Sequence, residues 1–229
     1  MVLQFNKLYK KFITASIIEN EKFFGLDFIP KKIKKHTEDS WTKKMKEALE
    51  CRECSLSDNR TLVVYGEGDI KAKVMFIGEA PGAEEDIQGR PFVGRAGKLL
   101  DQILHEINWD RKGIYITNIV KCRPPENRQP TPYEIDRCSK FLKFQTYYIS
   151  PKIIVLLGAV SAQTILGTIV PNLKSIKEIR GQVYEHKGIK YIPTYHPAYI
   201  LRNQKDYLLL KEDLLKAKKL INQFDKNFK

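Results

Sequence analysis

The sequence has no long apolar segment and few cysteines, and each shortage excludes a class of protein. No stretch of about 18 apolar residues occurs, so no transmembrane helix and no membrane association are expected. The N-terminus lacks an apolar core followed by a small-residue cleavage site, so we expect a cytoplasmic chain rather than a secreted one. Only four of the 229 residues are cysteines, and a reducing compartment favours metal ligation over disulfides for them.

Acidic residues are also in short supply. The chain has 27 Asp and Glu against 40 Lys and Arg, which gives a formal net charge of +13. An excess of this size indicates a polyanionic partner such as nucleic acid. A surface solvated mainly by lysine would give the same total, and charge alone does not separate the two explanations.

Length and composition predict one main domain with an appendage. Hydrophobic residues make up 42% of the 229 residues, which is enough for a full core. Residues 1–45, rich in lysine and aromatics, are predicted to form an N-terminal helical extension with a basic cluster at Lys31–Lys35. This extension either packs on the core or forms an arm toward DNA, and its phenylalanines favour packing. Residues 46–229 form the main domain.

From about residue 60, strand-like runs alternate with helix-like runs. Strands are predicted at Thr61–Tyr65, Lys73–Ile77, Gly113–Val120, Ile153–Leu157 and Ile189–Thr194. Helices are predicted at Gly97–Ile107, Pro132–Ile149, Ser161–Thr168 and Lys205–Phe224. This alternation predicts an α/β fold with a largely parallel sheet covered by helices on both faces.

A loop rich in glycine and proline is the strongest functional signal. It begins at Gly78-Glu79-Ala80-Pro81-Gly82, after a predicted strand, and ends before a predicted helix. Loops in this position expose backbone N–H groups where open α/β sheets bind ligands. Three consecutive acids, Glu84 to Asp86, and the aromatic Phe92 follow in the same loop. Such a set suits recognition of a flat ring with polar edges.

The four cysteines form one short pair and one long pair. Cys51 and Cys54 make a C-x2-C motif, whereas 15 residues separate Cys122 from Cys138. Four thiolates can bind Zn²⁺ or a [4Fe–4S] cluster. Because a zinc ribbon usually has two short pairs, the spacing alone favours the cluster only weakly.

Three segments resemble the uracil-DNA glycosylase superfamily, in the iron–sulfur branch called family 4. They are the GEAPG loop with its G-R-PFVG-R-AG continuation from Gly89, the segment Ile116–Pro125, and His196-Pro197-Ala198. The match runs from about Glu47 to Leu220. It implies a central four-stranded parallel sheet flanked by helices, a [4Fe–4S] cluster on the four cysteines, and single- or double-stranded uracil-containing DNA as the substrate.

The resemblance also assigns the central site residues. Phe92 would stack on the flipped base, Asn118 would pair with its N3–H and O4, and His196 would donate a hydrogen bond to O2 as the glycosidic bond breaks. The remaining residues predicted to contact the base are Ala80, Gly82, Glu85 and Asp86.

One position departs from the classical branch of the superfamily. That branch has an aspartate that positions the attacking water, and Ala80 stands at its place here. The water would then be positioned by the backbone, by Glu79 or by Asp86, and the sequence does not choose among them. Glu85 would crowd a methyl group on C5 of thymine, or else act only as a favourable charge at a helix N-terminus.

Five residues are predicted to contact DNA. A basic, proline-rich loop carries Arg123 and Arg128, which are suited to phosphates. The segment after His196, with Tyr199, Leu201 and Arg202, could wedge into the duplex. We expect a monomer associated with the nucleoid, with a sliding clamp or polymerase as a candidate partner.

Two functions other than that of a glycosylase are compatible with parts of the sequence. A superfamily branch that crosslinks to the abasic site carries an inserted basic loop, and no such insertion follows Phe92. An iron–sulfur module that binds nucleic acid without catalysis would not need Phe92, Asn118 and His196 together.

Overall fold

The computed structural model describes residues 38–226. Most of the predicted N-terminal extension, including the basic cluster at Lys31–Lys35, therefore lies outside the described residues. The described part opens with helix α1, Glu38–Leu49. Trp41 of this helix packs against the rings of Tyr65, Tyr115 and Tyr148 at centroid distances of 5.6, 5.6 and 4.9 Å.

The centre of the fold is a mixed sheet of six strands in the order β1-β3-β2-β4-β6-β5. The strands are β1 Glu67–Gly68, β2 Val74–Gly78, β3 Tyr115–Asn118, β4 Ile153–Leu157, β5 Tyr184–His186 and β6 Ile189–Thr194. The four central strands, β3, β2, β4 and β6, are parallel. The short edge strands β1 and β5 are antiparallel to their neighbours.

The expectation of four strands is corrected to six, because two antiparallel edge strands extend the parallel centre. Both added strands have only two or three residues, too few to produce a periodic pattern. The hairpin from β5 to β6 turns at Lys187 and Gly188, whose φ angles of 49° and 79° are both positive, as in a two-residue hairpin turn.

The strand predicted at Thr61–Tyr65 is wrong, because this segment is a loop. Val63, Val64 and Tyr65 are buried, which explains the strand-like apolar pattern. The backbone N–H of Val64 donates to the carbonyl oxygen of Lys121 at 2.8 Å, so the loop lies along the segment after β3 without forming a ladder. The other four predicted strands are present with small shifts in their ends.

Helices cover both faces of the sheet. The remaining helices are α2 Leu56–Asn59, α3 Ala83–Gln88, α4 Arg95–Glu106, α5 Pro132–Ile149, α6 Ala159–Leu166, α7 Ile176–Ile179, α8 Pro197–Ile200 and α9 Tyr207–Lys226. Met75 and Ile77 of β2 belong to one core, with residues of α5 and α6. Val74 and Phe76 belong to the opposite core, with residues of α4 and α9. In the described part of the chain, no helix combines the length and apolarity needed to cross a membrane.

Candidate active site

A cavity of about 450 Å³ opens at the carboxyl ends of β2, β3 and β6. This edge is where open parallel sheets bind their ligands. The lining comes from the loop after β2, the end of β3, the proline-rich loop that follows, and the segment around α8. The lining residues are Glu79, Ala80, Pro81, Gly82, Glu85, Phe92, Ala96, Asn118, Pro124, Asn127, Arg128, His196, Ala198, Tyr199 and Arg202.

Phe92, Asn118 and His196, predicted from distant segments, meet in this cavity. The rings of Phe92 and His196 lie 5.5 Å apart between centroids, with an interplanar angle of 34°. Gly78, the last residue of β2, allows Asn118 and Phe92 to approach each other closely. A Cβ there would clash with Asn118 Oδ1 and would lie 2.7 Å from Phe92 Cζ.

The side chain of Asn118 is the most unusual polar group in the cavity. The residue is only 2% exposed, and its Oδ1 atom is buried with no hydrogen-bond partner. Leaving a buried acceptor unpaired costs about 1–3 kcal/mol. A ligand that brings an N–H group into the cavity would recover that cost, so this oxygen marks a recognition point.

His196 is held as a neutral imidazole with a defined tautomer. Its Nδ1 accepts a hydrogen bond from the backbone N–H of Ala198 at 3.1 Å, so the ring hydrogen is on Nε2. Burial lowers the pKa of His196 to about 4, which leaves the ring uncharged at neutral pH. Gly158 passes close behind this residue with a φ of +98°, and a Cβ there would lie 3.0 Å from the Cβ of His196.

Glu79 is the carboxylate in the cavity whose charge depends most on its surroundings. Burial raises the pKa of Glu79 to about 7. The group can therefore exchange a proton at physiological pH, as a general base requires.

Glu85 lines the same cavity, but its carboxylate is engaged by three backbone N–H groups. Oε1 accepts from Val93 and Gly94 at 2.9 and 2.8 Å, and Oε2 accepts from Gly82 at 3.1 Å. The side chain therefore ties the start of α3 to the loop that carries Phe92. Glu85 thus lies near the N-terminus of α3, as one of the two predictions had it, and it also binds the backbone at Val93 and Gly94.

The structure does not bring Asp86 into the cavity. Asp86 is buried, and both of its carboxylate oxygens accept from the backbone N–H of Thr61, at 2.9 and 3.1 Å. It stabilises the loop before β1 from the far side of α3. Neighbouring positions on a helix point about 100° apart, and here the two acids bind different backbone segments.

The two predicted DNA-contacting arginines have different environments. Arg123 Nε donates to Asn127 Oδ1 at 2.8 Å within its own loop. Arg128 forms a bidentate pair with Glu134, at 2.9 and 2.6 Å, and the Glu134 side chain is only 3% exposed. Arg128 therefore serves as a fixed part of the cavity wall.

The segment after His196 reaches the cavity in part. Tyr199 and Arg202 line it, whereas Leu201 is absent from the lining and half-buried. The Tyr199 hydroxyl donates to Asp206 at 2.7 Å, and its ring packs on Tyr195 at a centroid distance of 4.7 Å. Arg202 is exposed at the cavity mouth.

All four cysteines line a second, small cavity. Burial raises the pKa of the Cys54, Cys122 and Cys138 thiols. Arg60 Nη1 donates to Cys122 Sγ at 3.1 Å, and the N–H of Lys121 donates to Cys138 Sγ at 3.3 Å. Among residues 38–226, no three His, Cys, Asp or Glu side chains converge closely enough to hold a single metal ion.

Sequence reasoning missed three supporting residues. Glu134 was available from the T-x-x-E capping signature at Thr131, although its pairing with Arg128 was not. Asp213 of α9 holds Thr194, at the end of β6, through a 2.6 Å hydrogen bond, and it also pairs with Arg180. Lys121 is 1% exposed beneath Asn118, and no sequence signal distinguished it from a surface lysine.

Comparisons with known proteins identify the family to which the chain belongs. The Uracil DNA glycosylase superfamily matches residues 65–223, and the chain belongs to this superfamily. The chain is 47% identical over 187 residues to the Type-4 uracil-DNA glycosylase of Sulfurisphaera tokodaii, covering 80% of this chain and 85% of that protein. It is 48% identical over 177 residues to the Type-4 uracil-DNA glycosylase of Thermotoga maritima, covering 76% and 90%. For the Type-4 enzyme of Archaeoglobus fulgidus the identity is 45% over 161 residues, covering 69% and 81%.

Proposed function

We propose that this protein is a uracil-DNA glycosylase of DNA repair. It turns uracil out of DNA, hydrolyses the N-glycosidic bond, releases the free base and leaves an abasic site. The observation that carries the proposal is the unpaired, buried Asn118 oxygen beside the ring of Phe92 and a neutral His196. The superfamily membership and the Type-4 relatives agree with it.

Recognition depends on the hydrogen-bond pattern of the base. The free Asn118 Oδ1 accepts the N3–H of uracil, and the amide NH₂ donates to O4. Cytosine presents the opposite pattern at these two atoms and would leave the buried oxygen unpaired. Phe92 provides a flat apolar face for the flipped ring, whose extraction costs a few kcal/mol.

Catalysis depends on stabilising the leaving base. As the bond from N1 to C1′ breaks, negative charge develops on O2 of uracil. The Nε2–H of His196 donates to this oxygen, and the neutral ring needs no proton exchange with solvent beforehand. Removing a donor of this type typically costs about 10²–10³-fold in rate.

We assign to Glu79 the role of positioning and deprotonating the attacking water. Glu79 lines the cavity with a pKa of about 7, whereas Glu85 and Asp86 are bound to backbone N–H groups. Its ionised carboxylate accepts a proton from the water that attacks C1′. Ala80, in place of the classical aspartate, lines the same cavity and offers no carboxylate.

We propose that Cys51, Cys54, Cys122 and Cys138, which all line the second cavity, hold a [4Fe–4S] cluster. In such a cluster each thiolate binds a different iron atom, so the sulfurs need not converge on one point, whereas zinc requires four ligands around one ion. Arg60 and the N–H of Lys121 already donate toward the sulfurs, as the ligands of an anionic cluster require. The cluster would crosslink three segments of the chain, which carry Cys51 with Cys54, Cys122 and Cys138. No chemical step is assigned to it.

A uracil-release assay on single- and double-stranded DNA tests the proposal. The purified protein should release uracil from both, and His196→Ala should slow the single-turnover rate by about 10²–10³-fold. Binding to abasic product DNA should change far less, because the histidine acts on the leaving base.

His105→Ala is the matched control, since His105 is exposed on α4 outside the cavity. It should leave the rate unchanged. Absence of uracil release from both substrates by the folded, metal-loaded protein would contradict the proposed function. Equal losses of product binding and rate in His196→Ala would instead assign the histidine to folding or docking.

A further inference from the structure

Lys121 is a deeply buried lysine directly beneath the base-reading residue. It is 1% exposed, and its Nζ donates to the backbone oxygen of Asn118 at 2.7 Å. The same nitrogen donates to Thr117 Oγ1 at 2.6 Å and to Gln145 Oε1 at 2.8 Å. Three acceptors match the three N–H groups of an ammonium.

Packing alone does not explain this residue. Among the described residues, no carboxylate pairs with Lys121 Nζ, and its three hydrogen-bond partners are all neutral. Its ionisable neighbours are the sulfurs of Cys122 and Cys138, whose cavity it lines, but none of the three hydrogen bonds of Nζ goes to a sulfur. Taking an ammonium out of water costs several kcal/mol, and an apolar side chain of similar length would avoid that cost. Lys121 also does not line the active-site cavity, so it does not contact the substrate.

The orientation of Asn118 depends on its main chain. Its Oδ1 has no protein partner that could fix the amide before the base arrives. The residue is the last of β3, where the sheet ladder ends, and the N–H of the next residue, Ile119, donates to Gly78 at 3.0 Å. The carbonyl of Asn118, on the other side of that peptide, is held by Lys121.

We propose that Lys121 is a positioning residue for the glycosylase reaction, one that fixes the peptide of Asn118 so that its amide stays aimed at the flipped base. This rests on the proposed function. The lysine itself is held by a network, because Thr117 Oγ1 and Gln145 Nε2 both donate to the carbonyl of Tyr65, at 2.9 and 2.7 Å. The backbone N–H of Lys121 is anchored on Cys138 Sγ.

The test compares single-turnover uracil release by wild-type protein and Lys121→Met. Because a misplacement of about 1 Å can cost about 10²-fold, we expect the variant to be about 10- to 100-fold slower. Its affinity for undamaged DNA should stay within about threefold, since only the base-reading step changes. Tyr115→Phe is the matched control. It removes a hydroxyl that accepts from Gln145 Nε2 at 3.0 Å in the same network without touching Asn118, and should leave the rate unchanged.

A double-mutant cycle separates positioning from general destabilisation. In an Asn118→Ala background, Lys121→Met should change the rate by less than about twofold, because the group through which it acts is gone. The inference would be overturned if Lys121→Met slowed the rate equally in both backgrounds, or if the single variant kept the wild-type rate. The proposed function would still stand in either case, provided that the wild-type protein releases uracil. If Lys121→Met does not fold, Thr117→Val removes one of the three acceptors with little change in shape. It should show the same loss, and the same dependence on Asn118.

Discussion

At the scale of single residues, burial shifts the pKa values of two side chains in the cavity in opposite directions. The pKa of His196 falls to about 4, and the pKa of Glu79 rises to about 7, because the charged form of each is penalised by lost solvation. At neutral pH the histidine is an uncharged donor, whereas the glutamate is divided between its two forms. Of these two groups, only the glutamate can therefore give the reaction a pH dependence near neutrality.

We expect the single-turnover rate to rise with pH and level off above pH 7, as Glu79 loses its proton. From pH 6 to pH 8 the ionised fraction of a group with this pKa grows by about tenfold, which sets the size of the rise. Glu79→Gln should be slower at high pH and should lack the rise. A Glu79→Gln variant with an unchanged profile would show that a group other than Glu79 sets the pH dependence.

The same shift affects stability, and its sign is opposite to that of a salt-bridged acid. Between the ordinary value of 4.5 and about 7, folded Glu79 keeps a proton that the unfolded chain has lost. Its contribution to stability therefore falls as pH rises through this window. Glu79→Gln should raise the thermal midpoint at pH 8 relative to wild type and should have less effect at pH 4, which scanning calorimetry can measure.

Some residue roles could be read from the sequence and others could not. Phe92, Asn118 and His196 occur in distinctive motifs, and they do meet in the cavity. The adjacent acids Glu85 and Asp86 look equivalent in the sequence. They diverge because the orientation of α3 sends one carboxylate to the Phe92 loop and the other to Thr61. That orientation is set by tertiary packing.

At the scale of elements, long periodic segments were predictable and short ones were not. The predicted bounds of β4, β6 and α5 coincide with those of the structure, because each is a continuous buried run or a capped helix. Thr61–Tyr65 was wrongly predicted as a strand, since burial of a loop gives the same apolar pattern. The edge strands β1 and β5 depend on pairing partners and not on their own composition.

Glu85 joins two elements, so its removal should loosen the loop that carries Phe92. Glu85→Ala leaves the N–H groups of Gly82, Val93 and Gly94 without their acceptor. Hydrogen bonds to charged groups contribute about 1.5–3 kcal/mol each, so we expect a clear drop in the denaturation midpoint. Glu84→Ala, on the exposed side of the same helix, is the matched control.

Because the Glu85 carboxylate is already bound by backbone N–H groups, the uracil-over-thymine ratio of kcat/KM opposite guanine should stay unchanged in Glu85→Ala. A narrowed ratio would instead support a role in excluding the thymine methyl group.

Arg123 and Arg128 share one loop, and we expect different results from their removal. Arg128→Ala leaves Glu134 buried without its partner, which costs about 3–5 kcal/mol for a buried pair, less here because Arg128 is partly exposed. Arg123→Ala should leave stability unchanged, weaken binding to all DNA sequences and lower the salt slope of log K by about 1. Thermal unfolding and salt titrations of DNA binding measure the two effects. An unchanged salt slope in Arg123→Ala would place the phosphate contact elsewhere.

At the scale of the whole molecule, the four-cysteine cavity joins segments that are distant in sequence. Cys51 and Cys54 lie in the loop between α1 and α2, Cys122 follows β3, and Cys138 lies on α5. The segment after β3 directly follows Asn118, the last residue of that strand, and leads into the loop of Arg123 and Arg128. A group bound by all four thiolates would therefore stabilise one wall of the active site.

Cys138, the cysteine on α5, is one of the two buried residues among the four proposed cluster ligands. We expect the protein purified without oxygen to be brown and to carry about four iron atoms and four sulfides per chain. Cys138→Ala should lower iron content, solubility and thermal midpoint together, because metal binding and local folding are coupled. Ser139→Ala is the matched control, since Ser139 is buried next in the same helix but does not line the cysteine cavity. It should keep the full iron content. Stoichiometric zinc without sulfide in the wild-type protein would contradict the proposed cluster, and a Cys138→Ala variant with normal iron would remove this residue from its ligands.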